Sequence, residues 1–453
     1  MSGSPTGKER TFFGHPRALG VLFSVEMCER ASFYGMKAIL ALFLVTAVAD
    51  GGMGLSKAAA SSIYGWYTMA VYLTAIPGGL IADRWLGARR SVLIGGLIIA
   101  VGHFVMVLHA PFFIFAGLAM ISLGTGLLKP NISSMVGEVY DGHDNRREQG
   151  FTIFYMGINV GAAVAPVVCG FLAQHPWFKS FLSWLGLDPS LSWHFAFAAA
   201  GVAMLAGLAQ YWWGGRHIQS IGALRTAQSE KAVVAEEDKR NWRHYLAIGV
   251  LCFFSVLFFC ITEQGGSSLS FFAQEMTRNT AFGFEFPSTW FQAVNPLCVI
   301  GLSPLFAWLW MSLRRKEIEP SSSFKFAIGL LYLTVGTALM VPAAYAAVSG
   351  KVSPLWLCAV YFLQVMGELC LSPVGLSKVT ELAPRRYTGL AVGLWFLASA
   401  MAAKLGGVLA GFYSEDPNVI AALFSWLAVA ALVGAAIMAL TTPALRKLMK
   451  PVF

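Results

Sequence analysis

The chain has 453 residues, of which 57% are hydrophobic and only 12% charged, with a formal net charge of +9. One soluble core cannot enclose that much apolar surface, and the charged share is about half that of a globular domain, so a large soluble enzyme is excluded. Cys28, Cys169, Cys252, Cys260, Cys298, Cys358 and Cys370 lie singly in apolar runs. Their odd number and scattered spacing exclude a disulfide framework and a zinc centre.

The first residues are polar and basic, with Lys8, Arg10 and Arg17. No small-x-small cleavage site follows a short apolar core there, so the first apolar run reads as a retained helix rather than a cleaved leader. Apolar runs of spanning length cover 19–45, 61–82, 91–109, 112–133, 151–173, 193–213, 244–272, 288–312, 324–346, 354–376, 388–412 and 418–440. Each offers roughly 20 residues at a 1.5 Å rise, enough for ~30 Å of hydrocarbon. Two-residue alternation is absent, which excludes a membrane β-barrel. The expected fold is an all-α membrane protein with twelve transmembrane helices.

Charge placement sets the orientation. With the amino terminus inside, the inside segments hold 22 of the 32 basic residues and the outside loops hold four, Lys57, Lys179, Arg278 and Lys351. That bias predicts both termini on the cytoplasmic side. The positive charge therefore reports topology, and its dispersal over short loops speaks against nucleic-acid binding. The longest polar basic stretch, 215–243, divides the spans six and six. It predicts an amino-terminal bundle over 1–214, a cytoplasmic linker, and a carboxy-terminal bundle over 244–453, with a site between the two.

The first span carries Glu26, Glu29, Arg30 and Lys37. At 100° per residue these four and Tyr34 share one stripe. A charge at the bilayer centre costs about 2.5–3.5 kcal/mol on insertion scales, so the stripe is expected to pair internally and face a wet cavity. An ion-pair lock that only ties helices together is the alternative. Further intramembrane polar residues favour the cavity: Lys129 before Pro130 in the fourth span, Asn159 in the fifth, and Glu263 before Gln264-Gly265-Gly266 in the seventh. Asn295-Pro296 in the eighth span and Glu368 in the tenth complete the set. The cavity is expected to be basic on one wall and acidic on the other, which suits a zwitterion. Tyr34, Tyr67, Tyr72, Tyr155 and Phe259 are expected on its faces, whereas His103 and His194 read as packing residues. Gly157, Gly161, Gly406 and Gly407 read as close helix crossings. No nucleotide-binding loop, nucleophile–base set or metal cluster is present, which argues against an enzyme.

Gly79 through Arg90, reading Gly-Leu-Ile-Ala-Asp-Arg-Trp-Leu-Gly-Ala-Arg-Arg, resembles the loop motif between the second and third helices of the major facilitator superfamily. Glu26 through Gly35, with its Glu-x-x-Glu-Arg core, resembles the first-helix motif of the proton-dependent oligopeptide transporter family. Phe154 through Gly161 is similar to that family's Phe-Tyr-x-x-Ile-Asn-x-Gly motif, and Gly367 through Gly375 to its tenth-helix stretch around a glutamate. The resemblance implies the major facilitator fold, with two six-helix bundles, and proton-coupled uptake of di- and tripeptides by alternating access. It implies proton coupling by Glu26, Glu29, Arg30 and Glu263. Tyr34, Lys37, Tyr72, Lys129, Asn159, Phe259, Asn295 and Glu368 would bind substrate, with Lys129 at the peptide carboxylate and Glu368 at its amino group. Asp83, Arg84 and Arg89 would form a cytoplasmic latch favouring the outward-open state. No cofactor is implied beyond the coupling proton. The implied partners are small peptides, peptide-like drugs and the lipid of a bacterial inner membrane, with the monomer as functional unit.

The chain departs from the family in three places. Lys37 stands where arginine is common, Phe33 where tyrosine is common, and Phe259 where a seventh-helix tryptophan is common. Two extra helices found in many bacterial members between the sixth and seventh spans are not expected here. A related carrier for another small solute such as nitrate, and a receptor that binds without transport, are the competing classes.

Overall fold

The computed structural model describes residues 11–108, 110–140, 144, 146–224, 242–281, 283–383 and 388–449. Twelve helices of 17 or more residues dominate them. In chain order these are α1 (Arg17–Val45), α2 (Lys57–Ile81), α3 (Ala88–Val105), α4 (Pro111–Glu138), α5 (Arg147–Gln174) and α6 (Ser192–Trp213), then α7 (Trp242–Thr262), α8 (Val294–Arg315), α9 (Ser322–Ala338), α10 (Leu355–Leu382), α11 (Thr388–Ala410) and α12 (Pro417–Leu448). Ten are long and apolar enough to cross a membrane on length and composition alone. The other two are α1, which carries the charged stripe, and α2, which carries hydroxyls and glycines along its length.

The ends follow local chemistry. Ser56 caps α2 by accepting from Ala59 N, Ser321 caps α9 and Asp416 caps α12. Proline opens α4 and α12, where its missing N–H is no loss. Gly87, at φ 74°, turns the chain between α2 and α3. Several helices outrun their apolar runs into the flanking water, as α4 does to Glu138 and α10 to Leu382. The predicted seventh span is broken: α7 ends at Thr262, a 3-10 turn spans Glu263–Gly266, and a short helix continues over Ser268–Glu275. The predicted eighth span opens as a 3-10 turn, Ser288–Ala293, before α8. A short amphipathic helix, Pro176–Trp184, and a hairpin of β1 (Thr280–Ala281) with β2 (Phe284–Glu285) were not expected from the sequence.

Helices α1–α6 pack into one bundle and α7–α12 into another. In the first, α1 lies innermost against α5 and α6, with α4 holding α2 and α3. Nineteen of the 29 residues of α1 are buried, so its charged stripe faces protein rather than lipid. Outward faces expose Phe253, Trp426 and Leu440, as a hydrocarbon solvent permits. The bundles touch chiefly through α2 with α11 and α5 with α8. A six-helix offset interconverts these two pairs, and it also relates the α3–α4 crossing at Gly95 and Gly124 to the α9–α10 crossing at Gly329 and Gly367. The two halves of the chain thus repeat these helix pairings.

Of the expected linker 215–243, residues 225–241 lie outside the described residues. Its first part is no free tether. A 3-10 turn, Gly214–His217, folds the chain back, Ile218 and Ile221 are buried, and Gly222 O accepts from Arg89 N at 3.0 Å.

The turn between α8 and α9 is pinned by Glu319, which accepts from Arg314 Nε at 2.7 Å and Lys325 Nζ at 2.6 Å. Those two donors hold its carboxyl down to about 2. The contribution of this lock is therefore complete above the ordinary value of 4.5 and is lost as pH falls through about 2.

The expected glycine crossings are present. A Cβ on Gly161 would meet the Met27 carbonyl, and one on Gly407 would meet Ser61 O and the Gly65 backbone. Because backbone cannot rotate away, Gly407→Val should destabilise the protein by about 1–3 kcal/mol, more than Gly407→Ala. Melting curves in detergent check this, and equal melting of the three proteins would show that the α2–α11 crossing is not backbone-tight.

Candidate functional site

A cavity of about 380 Å³ lies between the two bundles. Helix α1 supplies Arg30, Phe33, Tyr34 and Lys37, α2 supplies Tyr64 and Tyr72, and α4 supplies Lys129. Tyr155 and Asn159 come from α5. The second bundle supplies Phe259 and Glu263 from α7, Asn295 from α8, Glu368 from α10, and Trp395 and Phe396 from α11. All eight residues expected to bind substrate line this one space. Of the four expected to couple protons, Arg30 and Glu263 line it. Glu26 and Glu29 lie behind Arg30, each 1% exposed.

Arg30 organises the basic wall. Its Nη2 donates to Glu29 Oε1 at 2.6 Å, its Nε bonds Glu29 Oε2, and Nε stands 3.4 Å from Glu26 Oε1. Two carboxyl groups on one guanidinium share its donors, as burial of a charge requires. Glu26 Oε2 is a buried oxygen with no hydrogen-bond partner among the described residues. The guanidinium carbon sits 5.0 Å from the Phe33 ring centre, and Lys37 Nζ lies 5.8 Å from the same centre. Phe33 thus offers its π face to two cations without a hydroxyl. Lys129 Nζ stands 5.5 Å from the Tyr72 ring centre, with no carboxylate within ion-pair distance among the described residues.

Lys37 bridges the bundles, donating to Glu263 at 3.0 and 3.2 Å, with the two side chains 11% and 17% exposed. The break in α7 presents that carboxylate. Gln264 holds the break, donating to Cys260 O at 3.2 Å and Gly406 O at 3.0 Å while accepting from Ser268 Oγ at 2.6 Å. Gly265 and Gly266 leave room for Tyr361 and for the Tyr64 hydroxyl, where a Cβ would collide with the latter. Tyr361 OH donates to Gly265 O at 3.1 Å. A 3-10 turn within a span thereby keeps its backbone groups bonded away from lipid.

On the acidic wall Asn295 and Glu368 both line the cavity. Opposite, Asn159 Nδ2 donates to the Tyr155 carbonyl at 3.0 Å. Phe259 packs edge-on to Trp395 at 6.3 Å.

The bundle end away from the start of α1 and the end of α12, the distal end, is tied across the bundles. Lys57 bridges Glu275 at 2.6 Å and Glu415 at 3.0 Å. Gln174 bonds Gln274 and Ser288, each at 3.1 Å, and Trp290 Nε1 donates to Val167 O at 3.1 Å. At the other, terminal end, Asp83 and Arg84 are exposed in a π-helical turn, Ala82–Leu86. Asp83 forms no ion pair among the described residues. Arg89 is held through its backbone, whose carbonyl accepts from Tyr211 OH at 3.1 Å. The three residues expected to form a latch are neighbours but are not joined as one in this conformation.

One expectation needs adjustment. Tyr67 is not on the cavity: it is 5% exposed and stacks behind Phe33 at 6.2 Å. His103 and His194 do pack in the interior, and His103 Nε2 meets Ser32 Oγ at 2.7 Å. The sequence reading overlooked Tyr64, Gln292, Tyr361, Gln364, Ser372, Trp395 and Ser399, all of which line the cavity. Periodicity could have found some of them. Tyr361, Gln364, Glu368 and Ser372 step along one face of α10, and Tyr64 lies roughly two turns from Tyr72.

A cavity between two six-helix membrane bundles, with unlike charge on its walls, defines a solute transporter of the major facilitator fold. The chain belongs to the POT family, whose model matches residues 89–234 and 217–427. It is 37% identical to the peptide transporter YePEPT of Yersinia enterocolitica subsp. palearctica, over 97% of this chain and 96% of that protein. It is 33% identical to a di-/tripeptide transporter of Lactococcus lactis subsp. cremoris, over 91% and 92% of the two chains. A crystal structure of a mutant peptide transporter POT in complex with alafosfalin superposes with a TM-score of 0.87 at 34% identity, covering 98% of this chain and 97% of that one. Membership in a family of transporters sets the enzyme reading aside.

Removing one partner of the Lys37–Glu263 pair strands a charge, whereas removing both does not. Lys37→Met should therefore lower the detergent melting temperature more than Lys37→Met with Glu263→Gln. Strictly additive losses in that double-mutant cycle would show the pair to be uncoupled.

Proposed function

We propose that this protein is a proton-coupled symporter that takes up di- and tripeptides by alternating access. The observation carrying the proposal is the polarised cavity. Arg30, Lys37 and Lys129 from the first bundle and Glu263 and Glu368 from the second line a space of about 380 Å³, which matches the carboxylate and amino group at the two ends of a short peptide. The names of the relatives, di-/tripeptide and peptide transporters, support the same substrate class. Peptide-like drugs fit the same ends, as the alafosfalin complex of a relative suggests.

In this reading Lys129 holds the peptide carboxylate and Glu368, with Asn159 and Asn295, receives the amino terminus. Tyr34, Tyr72 and Phe259 form walls for the backbone and side chains. Glu26, Glu29 and Arg30 form a proton-handling unit, and Glu263 transmits protonation to the bundle interface. A protonated Glu263 no longer attracts Lys37, so the bridge between the bundles weakens. Asp83, Arg84 and Arg89 would lock the terminal end in the opposite state. Distal ties support a conformation whose cavity leads toward the terminal end, which the basic-residue bias assigns to the cytoplasm. The coupling ion is the proton, no other cofactor is invoked, and the monomer in a bacterial inner membrane is the functional unit. Inward charge movement contributes ~2.3 kcal/mol per elementary charge per 100 mV.

Uptake of labelled dialanine into proteoliposomes should require an inward proton gradient, and unlabelled dipeptides should compete where amino acids and nitrate do not. Nitrate competition without dipeptide competition would assign a different solute, and binding without counterflow would indicate a receptor. Glu29→Gln and Glu263→Gln should abolish gradient-driven uptake while sparing dipeptide counterflow. Lys129→Ala should raise the half-saturating dipeptide concentration about tenfold or more, since a hydrogen bond to a charged group is worth about 1.5–3 kcal/mol. Wild-type uptake by all three variants would overturn the residue roles.

A further inference from the structure

A second cavity, of about 440 Å³, lies at the terminal end, apart from the substrate space. Trp85 from the α2–α3 turn, Arg89 and Arg90 from α3, and Trp212 from the end of α6 line it. Its floor is the backfolded segment after α6, seated by buried Ile218 and Ile221.

Four features point to a ligand. Neither guanidinium has a carboxylate within ion-pair distance among the described residues, although both border the cavity. The backbone of Arg89 is fixed on both sides, its N–H donating to Gly222 O and its carbonyl accepting from Tyr211 OH, so the side chain starts from a fixed point at the cavity edge. The floor is preformed, the Glu138 carboxylate accepting from Gly222 N at 2.7 Å. Trp85 and Trp212 are 68% and 74% exposed at helix ends, the depth at which indole rings meet lipid headgroups.

We propose that this cavity binds the phosphate of an anionic phospholipid in the leaflet at the terminal end. Guanidinium forks match phosphate oxygens in pairs, and basic pockets between transmembrane helices suit acidic headgroups. A choline headgroup would place a cation against Arg89 and Arg90. The indoles flank the glycerol region, and the phosphate joins the α2–α3 turn to the end of α6.

Native mass spectrometry of the full-length protein in maltoside detergent, titrated separately with phosphatidylglycerol, phosphatidylcholine and inorganic phosphate, tests this. The wild type should retain one phosphatidylglycerol where phosphatidylcholine leaves no adduct. Arg89→Gln with Arg90→Gln should weaken that binding about tenfold or more. Arg216→Gln, which removes an exposed charge from the same end but outside the cavity, should leave it unchanged. Equal retention of the two lipids, an equal loss in Arg216→Gln, or displacement by millimolar inorganic phosphate would each overturn the lipid site. If the double variant does not fold, wild-type fluorescence decides. Brominated phosphatidylglycerol should quench more than brominated phosphatidylcholine, and Trp85→Phe with Trp212→Phe should remove the excess. No excess quenching in the wild type overturns the site as well.

Discussion

Lys37 and Glu263 approach to 3.0 Å across the boundary between the two bundles. Neither charge is tolerable at that depth alone. An unpaired ion within the hydrocarbon span costs several kcal/mol, so each carries a standing requirement for the other or for a substitute. The rest of the cavity is arranged around that requirement. Arg30 stays neutralised by Glu29 and Glu26 in its own helix, which leaves Lys37 to reach across. A protonated carboxyl, a peptide terminus or water are the substitutes within reach. On the proposed mechanism substrate and proton would act on one bond, which would tie transport to conformation.

The break in α7 carries Glu263. A side chain at Gly266 would leave no room for Tyr64, whose hydroxyl occupies the space its Cβ would need. The Gln264 amide replaces the helical bonds that the break forfeits, reaching Gly406 on α11. One buried amide therefore stabilises an irregular backbone, presents an acid to the cavity and joins two helices of the second bundle.

Much of this architecture was legible in the chain. Apolar runs located twelve spans within a few residues because lipid imposes one strong constraint on length and composition. Charges inside those runs pointed to the cavity because buried ions are costly, and Lys37, Lys129, Glu263 and Glu368 meet there. What was less legible has a common physical cause. Tyr67 and Tyr64 are the same residue type on the same helix and both are buried, yet Tyr64 lines the cavity while Tyr67 stacks behind Phe33. The break at Glu263–Gly266 was hidden because paired glycines are also common in intact membrane helices. Gln292 escaped notice since a polar residue near a span end is unremarkable until its partner, the Ala38 carbonyl, is placed beside it. The backfolded segment after α6 was masked by its polar composition, in which Ile218 and Ile221 are the sole large apolar residues before Leu224.

At its centre the contact of α2 with α11 sets Gly65 against Gly407 backbone to backbone, while at its edge the Lys404 side chain reaches Ser62 and the Trp66 ring. Parting the glycine faces requires no rotamer to withdraw. Rejoining them freezes few torsions, so the ordering entropy lost on each closure is small. The seal is consequently smooth as well as tight. Friction between the moving bundles is concentrated instead in the ion pairs and amide bonds around it, the interactions that water, protons and substrate can exchange.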